Sequence, residues 1–186
     1  TVFNIITTII LLPARKVLIK ISRIVVRGND AKQSEVFLDE RLLLSPGLAV
    51  HESYNMAVKM SDIARSCVLT AMGLMLSYDN DKAADVKTEE TELDMYEDKL
   101  GSFLVKLSAS ALSDNDSADV SKLLHNIGDF ERIGDHALNI RQSAKEMHEK
   151  GLTFSEHATE EVNLLFSALN EILTLAMDSF KDDDLD

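Results

Sequence analysis

The stretch NDSADVSKLLHNIGDFERIGDHALNIRQSAKEMHE, residues 115–149, decides the fold. It holds no Pro, and Val120, Leu124, Ile127, Gly134 and Leu138 recur in steps of three and four with Glu131 between them. That spacing marks one face of an α-helix. Ser113-Asp114-Asn115-Asp116 offers N-cap oxygens ahead of it, and Gly151 supplies a stop behind it. A helix of this length spans about 50 Å, so its neighbours must be long as well.

Working outward, the chain from Leu48 onward has no Pro and only five Gly. The spacing predicts helices over about 48–78, 82–112, 115–149 and 154–180. Asp79-Asn80-Asp81 reads as a turn, and Thr153 with Glu156 as a capping box opening the last helix. Long helices joined by short loops pack antiparallel, and no strand pattern competes after residue 30. The expected fold is therefore all-α, an antiparallel bundle of long helices preceded by an apolar and basic N-terminal segment.

The apolar seams carry acids. In the second helix the seam runs Val86, Glu90, Leu93, Glu97, Leu100, Leu104, Leu107, with Asp94 one turn beyond Glu90. In the third, Glu131 lies in the stripe with Asp135 one turn on. Both pairs are Glu-x-x-x-Asp, which stacks two carboxylates on one helical face. A carboxylate in a seam costs several kcal/mol unless a cation compensates it. A solvated seam neutralised by Arg132, Lys87 or Lys99 would satisfy this, and so would an oxygen-rich metal site with His136 at its edge. Gly134 would let a neighbouring helix or a cluster approach closely.

Composition narrows the functions. The chain has 186 residues, 19 Lys+Arg against 32 Asp+Glu, and a net charge of -13. That balance argues against a nucleic-acid partner. Cys67 alone can form neither an intrachain disulfide nor a Cys-based zinc site, which suits a reducing compartment, and its apolar surroundings read as core. No Glu-x-x-His occurs, so a ferritin-like di-iron site is not supported; nor is there a Gly-rich phosphate loop or a nucleophile elbow. His51, His125, His148 and His157 read as surface or core-edge residues. Nothing here suggests an enzyme.

The charge is unevenly spread. Residues 1–29 hold Arg15, Lys16, Lys20, Arg23 and Arg27 and no acid, so they carry +5 and the remaining residues -18. Residues 1–12 are apolar, end at Pro13, and are too few to cross a bilayer, which takes about twenty. Residues 14–26 then place Val17, Leu18, Ile21, Ile24 and Val25 on one face, with the basic residues mostly on the other. One reading is a surface helix joining the core. The other is the end of a membrane helix leaving the bilayer through a basic cytoplasmic collar. Residues 28–47 read as a linker, with Phe37–Leu44 as a short apolar peg lying along a larger body, and residues 48–186 as the helical domain.

Asp129-Phe-Glu-Arg-Ile-Gly-Asp-His-Ala-Leu-Asn-Ile140 resembles the signature of the PhoU family of phosphate-transport regulators. Glu90-Thr-Glu-Leu-Asp94 is similar to the acidic motif that precedes it in that family, and Met60-Ser-Asp-Ile-Ala64 to its first helix. Residues 3–13 look like the end of the last membrane helix of bacterial sodium/phosphate cotransporters, and residues 37–43 like their linker to a PhoU-like C-terminal domain.

The resemblance implies a domain of two three-helix repeats, of which this chain would hold one repeat and the first helix of the next, incomplete at the C-terminus. It also implies multinuclear iron or zinc clusters bound by Glu90, Asp94, Glu131 and Asp135, with Asp129 as an extra ligand. The implied role is a non-enzymatic regulatory domain on the cytoplasmic face of the inner membrane. Its expected partner is a transporter membrane domain, and its exposed apolar faces favour a homodimer. A free PhoU-type regulator and a metal-free helical interaction module are the alternatives.

Overall fold

The computed structural model describes residues 38–182. The expected apolar stub, basic helix and first part of the linker lie outside these residues. Four helices follow: α1, Pro46–Leu76; α2, Asn80–Ser108; α3, Asp114–Glu149; and α4, Glu156–Asp182. A short 3-10 helix, Glu40–Leu44, precedes them, and Lys106 of α2 reaches its Glu40 at 2.5 Å. Among the described residues there is no strand, and no helix is long and apolar enough to cross a membrane.

Local chemistry sets the helix ends. Asp79 accepts hydrogen bonds from the Asp81 and Lys82 amides at the start of α2, and Ser113 accepts from the Asp116 amide at the start of α3. These side chains satisfy amides that the first helical turn leaves without partners. Gly151, at φ +63°, ends α3 in the left-handed conformation that glycine adopts without steric cost. One cap differs from expectation. Ser155 accepts from the Ala158 amide and α4 begins at Glu156, so Ser155 takes the place expected of Thr153.

The helices run up, down, up, down. Cys67 Sγ lies 3.5 Å from the Val86 carbonyl and Ser66 donates to Glu89, which sets α1 antiparallel to α2. Arg141 Nε donates to the Ala83 carbonyl, which joins the far end of α3 to the start of α2. Tyr54 donates to the carbonyls of Phe180 and Lys181, so α4 runs back along α1.

At the centre, α1 buries Ser53, Ala57, Met60, Ala64, Cys67, Ala71 and Leu74, alternating steps of four and three. Small residues let three helices close in on this one. The buried Ser53 and Ser61 hydroxyls donate to the carbonyls of Ala49 and Val58 within their own helix, which removes the cost of burying them.

The seams of α2 and α3 are rotated from the expected ones. In α2 the buried line runs through Val86, Leu93, Tyr96, Leu100, Phe103, Leu104 and Leu107, so Glu90 and Glu97 are only half-buried. In α3 Leu123, Ile127, Phe130, Gly134, Ala137 and Ala144 are buried, and Leu124, Glu131 and Leu138 stand at the margin. The larger aromatic groups take the interior, and the acids sit where two helices meet water.

Candidate functional site

The acids gather along the crease between α2 and α3. Here the two backbones come close, because a Cβ on Gly134 would lie 2.6 Å from Leu93 Cδ1, and Leu93 is fully buried. The absent side chain of Gly134 makes room for Leu93, so the approach is one of helix to helix. Farther along, a Cβ on Gly101 would meet Ile127 Cδ1 at an ordinary 3.5 Å. The same antiparallel register sets the two Glu-x-x-x-Asp pairs head to tail. Glu90 feels the charge of Asp135, and Glu131 feels those of Asp94 and Glu97.

The electrostatics of the crease follow from this register. Partial burial, then Asp94, then Asp135 raise the Glu90 pKa, while Thr91 and Lys87 oppose the shift. Partial burial, then Asp135, Asp94 and Glu97 raise that of Glu131, with Arg132 opposing. Loss of water and repulsion between like charges both disfavour the ionised form. The crease therefore gains from any positive charge, whether a proton, a metal ion or a basic side chain of another protein.

The expected ligands do not all share this crease. Glu90 and Glu131 are half-buried, and Asp94 and Asp135 are exposed beside them. Asp129 is exposed and faces Arg132 at 3.8 Å. Lying two residues before Glu131, it points to a different side of α3. His136 is exposed. Among the described residues no three of His, Cys, Asp and Glu converge closely enough to hold a metal ion. Along the crease the carboxylates form an acidic face.

A neighbouring carboxylate was hidden from the seam pattern. Glu89 faces α1, accepts a 2.8 Å hydrogen bond from Ser66, and keeps its other carboxylate oxygen buried without a hydrogen-bond partner. Its pKa is raised chiefly by burial. Burial, helped by Glu89 and Glu90, pushes the Cys67 thiol up to about 12, so the thiol stays protonated and is inert as a nucleophile. Counting from Val86, Glu89 falls on the α1 side of the helix, which the choice of Glu90 as seam residue obscured.

Residues 57–144 match the family model described as PhoU domain. These residues form a PhoU-like domain. The match runs from α1 to near the end of α3 and takes in the whole acidic crease. No match was found among the curated proteins or among the solved structures.

A cavity of about 490 Å³ lies where the starts of α1 and α3 meet the end of α4, lined by His51, Tyr54, Asp116, Asp119, Lys122 and Asn126 among others. It includes none of the crease residues.

Proposed function

We propose that the chain is a non-enzymatic regulatory module of phosphate homeostasis, acting through protein contacts on the membrane domain of a sodium-dependent phosphate transporter at the cytoplasmic face of the inner membrane. The observation that carries the reading is the PhoU-domain match over residues 57–144, which spans both Glu-x-x-x-Asp pairs. Two features support it. The crease of α2 and α3 favours positive charge, so a basic surface or a cation stabilises it. The order of residues 1–27, apolar then basic, is the order of a chain leaving a bilayer on the cytoplasmic side.

An iron or zinc cluster on Glu90, Asp94, Glu131 and Asp135 is the finer form of this reading. The second form is a metal-free module that meets its partner directly.

The test is uptake of radiolabelled phosphate by cells producing the full-length protein, wild type against the double substitution Glu131→Ala and Asp135→Ala. The regulatory reading expects the response of uptake to external phosphate to change. An unchanged response with normal protein abundance would contradict it. Elemental analysis of the same proteins, purified without chelator, distinguishes the two forms: stoichiometric iron or zinc lost in the double variant supports the cluster, and its absence from wild type supports the metal-free module.

A further inference from the structure

The cavity at the starts of α1 and α3 takes no part in the crease, and its lining has a chemistry of its own. It lies on the inner side of α4, where Phe180 packs against Tyr54 of α1 at 5.6 Å and against Phe130 of α3 at 5.2 Å. The cavity is thus walled by residues that α1, α3 and α4 turn toward one another. Its volume of about 490 Å³ is that of a small-molecule pocket.

The floor is apolar and the rim is acidic. Val50 is 7 % exposed and Leu123 3 %, and Tyr54 and Phe180 add two aromatic rings. Asp116 and Asp119, both half-buried, stand one turn apart on one face of α3. Asp116 accepts from the Ser113 hydroxyl at 2.8 Å, and neither carboxylate has an ion-pair partner among the described residues. Lys122 shares the lining, but it is exposed and already has a partner.

Uncompensated carboxylates and aromatic rings attract a positive charge by different means, the first through charge-assisted hydrogen bonds and the second through the electron-rich ring faces. The apolar floor asks for more than a bare ion. A hydrated cation would leave Val50, Leu123 and the rings in contact with water, whereas a hydrocarbon body displaces that water.

We propose that this cavity binds a small organic ammonium ion, its charged group donating to Asp116 and Asp119 and its apolar body lying on Val50, Leu123 and Phe180. The inference is independent of the phosphate reading and of the crease. A primary ammonium group carries three donors on one compact charge, which suits two neighbouring carboxylates. The same carboxylates repel an anion, so phosphate itself is not the occupant.

The experiment is titration of the full 186-residue chain with phenethylamine, followed by NMR of the Val50 and Leu123 methyl groups and by calorimetry. Saturable binding with a dissociation constant on the order of 1 mM is expected for a ligand of this size. Phenethyl alcohol, which has the same shape without the charge, should bind about tenfold more weakly. Asp119→Asn and, separately, Asp116→Asn should each weaken the amine about tenfold with helix content unchanged. The crease double substitution Glu131→Ala with Asp135→Ala should bind it as wild type does. No saturable shift of these methyl signals, an alcohol that binds as well as the amine, aspartate variants that bind like wild type, binding lost with the crease acids, or the same shifts produced by inorganic phosphate would each overturn it.

Discussion

Helices α1, α2 and α3 and helix α4 are held by different forces. The first three share a continuous interior in which α1 alone contributes thirteen buried residues, whereas α4 contributes only Met177. What fastens α4 is a small number of specific contacts, most of them with α1 and one, Phe130 against Phe180 at 5.2 Å, with α3. Tyr54 donates to its last carbonyls and lies against the Phe180 ring at 5.6 Å, Arg65 donates to Asn170 and Thr174, and Lys181 reaches Asp62 at 2.5 Å. A three-helix core thus sets the global stability, and the fourth helix is an attachment whose opening costs less. The lesson is that a helix of high apolar content need not be a core helix, because burial depends on what lies opposite.

The sharpest way to break this contrast is to cut the core. Leu93→Ala empties the space opposite Gly134 and should cost about 3 kcal/mol, a fall of roughly 10 °C in the melting temperature. Ile172→Ala, on the open face of α4, should change the stability of the monomer by no more than about 0.5 kcal/mol. Thermal unfolding of both variants at low concentration checks the pair. Equal costs would mean that α4 belongs to the core.

Gly134→Val tests the same contact from the other helix. Its branched side chain must displace the buried Leu93, at about 1–3 kcal/mol, and combining it with Leu93→Ala should recover part of the loss. Denaturant melts of the two single variants and the double check this. Strict additivity would show that the two residues do not meet.

Tyr54→Phe removes a hydroxyl that reaches the end of α4 and should cost about 1 kcal/mol. The loss should appear as faster hydrogen exchange along α4, with the protection of α1 to α3 unchanged. A uniform loss of protection would contradict the view of α4 as a separable attachment.

The smallest effect concerns the crease. Burial and neighbouring acids raise the folded pKa of Glu90 and Glu131 above the unfolded value. Between the two values the folded chain holds more protons than the unfolded one, so this contribution to stability falls as pH rises through that window. Glu131→Gln removes one repulsive pair with Asp135 and should add about 0.2–0.5 kcal/mol at neutral pH, with a shallower dependence on pH across the carboxylate range. Melting temperatures at several pH values measure both.

Much of this was legible in the sequence. The helix ends near Asp79, Ser113 and Gly151 were readable because the capping chemistry is local. The four-helix, all-α architecture followed from the steps of three and four and the lack of Pro. The rotation of the seams was not readable, since Tyr96 and Phe130 outcompete Glu97 and Glu131 for the interior only once the helices are packed. Glu89 was missed for the same reason, because the turn of α2 toward Ser66 is a tertiary fact. Arg65 had no signal in the sequence, as its partners lie more than a hundred residues away. Among the carboxylates, spacing brought out the Glu90–Asp94 and Glu131–Asp135 pairs, while the matching of each Glu with the other helix's Asp required the antiparallel register.

That matching is the centre of the account, and carboxyl NMR titration of Glu90 and Glu131 tests it most directly. Both should titrate above the ordinary glutamate range. Asp135→Asn should lower the Glu90 value from across the crease, and Asp94→Asn should lower that of Glu131. Ordinary values for both glutamates, or values that the substitution on the facing helix leaves unmoved, would contradict it.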